Sequence, residues 1–230
     1  MKTLPAQPNK SLLEGLEVLL ELAQRGGTVG VRELARGMGL TPTRMQRYLG
    51  TLAHLGLTSR TEEGQYGIGP GIHGLSAMSL SASGLAGRAM AELPAYGDLN
   101  LVVALGVLWR NSVNYLYFNV PGMAVSESLG RRRGYPAKQS SIGMLMLAWA
   151  DEATIGRHFA EDRGSILKAR NRIRKDGYAL VKQPNGDTSI AVPVGNPPMA
   201  GLALSGEIAP SEIPGLVARL KQTAETLTDV

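Results

Sequence analysis

Near the N-terminus the apolar residues Leu12, Leu13, Leu16, Leu19, Leu20 and Ala23 recur at steps of three and four. That period predicts an amphipathic helix over 11–25, with Glu14, Glu17 and Glu21 on its polar side. Ser11 reads as its N-cap, Glu14 as the other half of a capping box, and Gly26-Gly27 as its end. A second helical pattern covers 31–38 and buries Leu34, Ala35 and Met38, before a tight turn at Gly39-Leu40. Thr41 as N-cap and Pro42 at the first helical position open a third helix. It runs to about Leu55, with Met45, Tyr48, Leu49, Leu52 and Leu55 inward. Two short extended stretches, 57–61 and 65–68, are joined by Glu62-Glu63-Gly64 and read as a hairpin. Residues 72–93 are helix-like but rich in glycine and serine, which predicts a connecting helix interrupted near Gly84.

Beyond Gly97 the texture changes. Strands are expected at 100–109, 113–120, 125–129, 178–182, 188–194 and 199–205, and helices at 140–149, 152–159, 165–175 and 211–227. They alternate without the regular crossover spacing of a parallel sheet, so the expected class is α+β with an antiparallel sheet flanked by helices. The expected division is an N-terminal domain over 1–70, a linker helix over 71–96 and a second domain over 97–230.

Composition narrows the function classes. The 230 residues are 43% hydrophobic and 19% charged, with a net charge of +5 and no cysteine. Disulfides, thiolate nucleophiles and cysteine-ligated zinc are therefore excluded. Residues 1–10 carry no signal-peptide pattern, and the apolar run 142–150 is far too short to span a bilayer, so a cytoplasmic protein with no membrane partner is expected. His54, His73 and His158 lack metal-ligand spacing, and no serine lies in a nucleophile elbow. Residues 67–71 read G-x-G-x-G but follow a hairpin strand, which is the wrong context for a dinucleotide. No enzyme, metal or cofactor is expected. The runs Arg131-Arg132-Arg133 and Lys168, Arg170, Arg172, Arg174 and Lys175 read first as solvated basic faces, the former with a second anion site as the other reading.

Three helices with a glycine turn between the second and third, followed by a hairpin, spell a winged helix-turn-helix. Its third helix would present Thr43, Arg44, Gln46, Arg47 and Thr51 to double-stranded DNA. Arg44 and Arg47, one turn apart, suit phosphates or a guanine edge, and Gln46 suits adenine. Thr41 and Thr43 sit where a helix N-terminus can grip phosphate, and Arg60 on the hairpin could reach the next phosphate or the minor groove.

The order of these pieces resembles the IclR family of transcription regulators. The resemblance rests on Val31-Arg32-Glu33-Leu34-Ala35, Met38-Gly39-Leu40, Arg47-Tyr48-Leu49-Gly50-Thr51-Leu52 and the hairpin Glu63 to Pro70. Later pieces agree: Gly130-Arg131-Arg132 with Pro136, Ser140-Ser141-Ile142-Gly143, Ile173-Arg174, Gly177-Tyr178-Ala179, Ile190 to Val194, and Leu204-Ser205-Gly206. It implies a GAF-like effector domain whose pocket would be lined here by Ser140, Ser141, Ile142, Ser189, Ala203 and Ser205. Ser140 and Ser141 also read simply as helix caps. Lys138 lies nearby in sequence, and a helix start with hydroxyls and a neighbouring lysine suits a carboxylate. Ile142, Ile190 and Met144 are the expected apolar walls. The chain departs from the family pattern at Lys138, at Met144 and in the segment after Ala179, which is short and not acidic.

The expected function is a sequence-specific regulator on a double-stranded operator, controlled by a small organic or aromatic acid and acting as a homodimer or homotetramer. Two readings compete with it. One is a constitutive dimeric DNA-binding regulator whose C-terminal domain only oligomerises. The other is an enzyme built on that domain.

Overall fold

The computed structural model describes residues 9–129 and 134–228. The chain falls into two compact units that meet in sequence between Ala82 and Ser83, inside the stretch expected to link two domains.

The N-terminal unit contains α1 (Lys10–Arg25), α2 (Val31–Gly37), α3 (Pro42–His54), β1 (Thr58–Arg60) and β2 (Tyr66–Ile68), and most of α4 (Pro70–Ser83). Helix α1 starts one residue earlier than expected. Asn9, among the best N-caps, accepts the Leu12 N–H at 3.0 Å, and Ser11 is not the cap. The buried side of α1 also differs: Val18 and Leu22 point inward, while Leu12, Leu13 and Leu16 are 61%, 42% and 46% exposed. Two stripes of this helix are apolar, and the inward one includes Gly15, which lies against Tyr48 of α3. Leu22, Leu34, Met45 and Leu49 are fully enclosed in this core. Each such side chain is worth about 1.5–3 kcal/mol of burial. The hairpin pairs antiparallel, with Arg60 opposite Tyr66, and Val29 bridges to Tyr66 from the other side. Helix α4 buries no residue and stops at Gly84, whose φ of 61° is left-handed.

The C-terminal unit opens with α5 (Leu85–Glu92), which buries Leu85 and Ala89. It continues through β3 (Val102–Trp109), β4 (Ser112–Asn119), β5 (Tyr135–Pro136), α6 (Ser141–Trp149), α7 (Glu152–His158) and α8 (Arg163–Asp176). The chain then forms β6 (Ala179–Lys182), β7 (Thr188–Val194), β8 (Ala200–Gly206) and α9 (Ile213–Thr226). The six strands form one antiparallel sheet in the order β5-β4-β3-β8-β7-β6. The strand expected at 125–129 is instead a 3-10 turn, Val125–Glu127, with a lone bridge from Leu129 to Tyr117. The segment folds around buried Ser128, whose hydroxyl accepts from Asn119 at 2.7 Å and whose carbonyl accepts from Phe118 N–H at 2.8 Å.

Strand alternation gives the sheet two unlike faces. Val103, Leu105, Ile190, Val192, Leu202 and Leu204 share a core with α5 and α9. On the other face stand Ala104, Ala191 and Ala203, with Ile142 and Leu145 of α6 packed on them. Small residues there let the helix approach closely: a Cβ at Gly201 would lie 2.9 Å from the Ile142 side chain.

Candidate functional site

Helix α3 is positioned by its own start signal. Thr41 caps it, the hydroxyl accepting the Arg44 N–H at 3.3 Å, and Pro42 follows. Thr41, Thr43, Gln46, Arg47 and Thr51 are exposed, as is Arg60 on β1. Three of the expected reading residues are engaged within the protein. The Arg44 guanidinium binds the Glu14 carboxylate at 2.8 Å and the Tyr48 hydroxyl at 3.1 Å, and that hydroxyl donates to Glu14 at 2.7 Å. The Tyr48 hydrogen bond first, and then the Glu14 charge, hold Arg44 above its ordinary pKa. Gln46 Nε2 donates to the Tyr66 hydroxyl at 2.9 Å, tying α3 to the hairpin. Thr51 donates to the Arg47 carbonyl. The Arg47 guanidinium stands 5.9 Å from the Tyr48 ring centroid and makes no ion pair among the described residues. Arg60 stands similarly over Tyr66, at 5.8 Å.

The C-terminal unit holds a cavity of about 400 Å³ between the start of α6 and the sheet. Ser140, Ser141, Ile142, Ser189, Ala203 and Ser205 all line it. The strand register brings them together: Ser205 pairs with both Val102 and Ser189, and Ala203 with Ala104 and Ala191. The hydroxyls of Ser141 and Ser189, both buried, lie 2.7 Å apart. Ser140 lines the cavity and also caps α6, accepting the Gly143 N–H at 3.3 Å. With the Ser140 N–H on the Ala137 carbonyl, the N–H groups of Ser141 and Ile142 are those that the helix start leaves over.

The other expected wall residues lie elsewhere. Lys138 is not on the lining; it sits on a 3-10 turn (Ala137–Gln139) and pairs with Asp162. Ile190 faces the α5 and α9 core, because its neighbour Ser189 takes the cavity side and adjacent strand residues point to opposite faces. Met144 lines a different cavity, beside α8. The apolar walls are instead Tyr115 and Phe118 of β4, packed edge to face at 5.2 Å, with Val102 and Ala104. Asp187, whose carboxylate accepts from Asn185 at 2.7 Å, also lines the cavity. The run Arg131-Arg132-Arg133 and Gly130 lie outside the described residues.

Residues 11–62 match the IclR helix-turn-helix domain. The N-terminal unit therefore carries an IclR-type helix-turn-helix. Solved structures agree on the IclR fold well beyond that domain. An IclR family regulator from Brucella abortus is 22% identical with a TM-score of 0.74, over 99% of this chain and 95% of that one. One from Alicyclobacillus acidocaldarius is 23% identical with a TM-score of 0.71, over 96% and 98%. An IclR homolog from Microbacterium hydrocarbonoxydans, complexed with 4-hydroxybenzoate, is 19% identical with a TM-score of 0.68, over 95% and 98%. A comparison with curated proteins gives no match.

A helix-turn-helix is a DNA-binding module, so the matched domain points to DNA as a partner. Among the described residues no His, Asp or Glu cluster could hold a metal, and no helix is long and apolar enough to cross a membrane. The sequence reading missed Glu14, Tyr48 and Tyr66 as the groups that hold α3, and Tyr115 and Phe118 as cavity walls. Glu14 had a signal: it breaks the apolar stripe on the side that carries Gly15 and Val18. Arg47→Ala is expected to weaken DNA binding with the melting temperature unchanged, by about 1–3 kcal/mol if Arg47 reads a base edge. Arg44→Ala is expected to lower the melting temperature as well, because it leaves Glu14 with one partner fewer. Parallel DNA titrations and thermal melts of the two variants check this. Equal melting of the two would remove Arg44 from the role of holding α3.

Proposed function

We propose that this chain is a cytoplasmic, sequence-specific regulator whose operator affinity is set by a small organic acid held between α6 and the sheet. Residues 1–70 read DNA, 71–96 connect, and 97–230 form the GAF-like sensing domain. The observation that carries this is the cavity itself, where serines from three distant segments meet over aromatic walls. Small hydroxyls leave room for a ligand, the leftover N–H groups of Ser141 and Ile142 suit a carboxylate, and Tyr115 and Phe118 suit an apolar body. The neighbour complexed with 4-hydroxybenzoate supports an acid of this kind. Charge recognition falls to the helix start, since Lys138 is taken by Asp162.

The regulator acts as a homodimer or homotetramer. One winged domain buries too little surface for high specificity. Leu12, Leu13 and Leu16 on α1, and Leu75 and Met78 on α4, are exposed apolar side chains of the kind that a second copy covers. The open cavity favours ligand control over the constitutive reading.

The test is Ser141→Trp, which fills the cavity from a buried position. Operator binding is followed by fluorescence anisotropy while 4-hydroxybenzoate and a panel of small carboxylates are titrated. The expected result is a wild-type response to at least one acid, absent in the variant, with unliganded affinity unchanged. If no acid moves the wild type, the constitutive reading replaces this one.

A further inference from the structure

The basic run on α8 has no part in the function so far. Helical period splits it into two faces. Arg170 donates to the carbonyls of Ala148 at 3.0 Å and Ala150 at 3.1 Å, and Arg174 donates to Ala148 at 2.7 Å. These two cap the C-terminus of α6, whose last carbonyls lack helical partners and attract cations. Lys168 and Arg172 belong to a second group, one turn apart. Lys168 makes no hydrogen bond or ion pair among the described residues, and Arg172 reaches only Asp176, at 3.5 Å.

Lys168 and Arg172 line a cavity of about 370 Å³ that shares no lining residue with the one at Ser141. Its apolar walls are Met144 of α6, Ile173 of α8 and Val181 of β6, the outermost strand of the sheet. A cavity of that volume is within the range of small-molecule sites, and its combination of parts is specific. Two cations against one carboxylate leave a net positive rim. The walls below are apolar, and Met144 adds a side chain that adapts to irregular shapes.

We propose that this cavity is a second ligand site, and that it takes an amphipathic monocarboxylate. The carboxylate sits between the Lys168 ammonium and the Arg172 guanidinium, as charge-assisted hydrogen bonds favour. The apolar body lies against Met144, Ile173 and Val181. An alkylammonium of equal length meets the same walls but is repelled at the rim.

The experiment uses the full chain labelled with ¹³C at the methionine methyls, with Met144→Leu identifying the Met144 resonance. Sodium octanoate is the probe and octylamine its cationic control. Octanoate is expected to shift the Met144 methyl saturably, and octylamine to leave it in place. The double variant K168E/R172E is expected to weaken octanoate by at least about tenfold. Ser141→Trp is expected to leave this binding unchanged. The proposal is overturned if the Met144 resonance does not move, if octylamine moves it as well as octanoate, or if Ser141→Trp abolishes the shift while K168E/R172E does not.

Discussion

Gly143→Ala is expected to cost the C-terminal unit about 3 kcal/mol, the upper end for a single added carbon in a packed core. The backbone there is ordinary helix, so the cost is one of space. A Cβ on residue 143 would stand 2.0 Å from the Ala137 carbonyl oxygen and 2.5 Å from its carbonyl carbon and Cα. Those atoms are main chain and cannot swing aside. Ala137 is itself fully buried, its N–H bonded to the Asn111 carbonyl at 2.9 Å and its carbonyl accepting the Ser140 N–H at 3.2 Å. To admit the methyl, α6 must retreat from the turn, which breaks the Ser140 cap and moves the floor of the Ser141 cavity. Gly156→Ala on α7 is the control, because a Cβ there meets nothing within 4 Å. It should be neutral or stabilising by up to about 1 kcal/mol, the helix preference of alanine over glycine. Urea melts of the two variants followed by circular dichroism check the pair. Equal midpoints would show that the close approach of α6 to Ala137 does not constrain the fold.

What was readable in the sequence follows from the range of the interactions involved. Helix α3 was legible because its signals are local: Thr41 and Pro42 start it, and Met45, Tyr48, Leu49 and Leu52 recur at helical spacing. The break at Gly84 was legible for the same reason. The inward face of α1 was not. Period identifies a helix but cannot choose between two apolar stripes, and the choice is made by Glu14 bonding Arg44 and Tyr48 some thirty residues on. The expected strand at 125–129 had strand-like residues but no neighbour to pair with beyond one bridge.

The cavity at Ser141 divides in the same way. Its serines were reached through family resemblance, and the register that joins Ser189 to Ser205 lies between strands that sequence alone does not align. Ile190 was avoidable as an error, since alternation already puts it opposite Ser189. The direction of Lys138 depends on a 3-10 turn with no clear signal in the residues themselves. Tyr115 and Phe118 needed the β3–β4 register, which shifts between Leu105 and Gly106.

The central claim is that α3 and the hairpin grip duplex DNA electrostatically, and its salt dependence tests this most directly. The measurement is equilibrium anisotropy on a duplex selected by this chain from a random-sequence pool. A dimer using Thr41, Thr43, Arg47 and Arg60 from both copies would make on the order of 6–10 phosphate contacts, and each releases counterions. Affinity should then fall on the order of 10³–10⁵-fold between about 50 and 200 mM salt, linearly in logarithmic coordinates. Arg47→Ala should flatten the slope by about one unit for each phosphate contact removed. A salt dependence near zero in the wild-type chain would contradict the account.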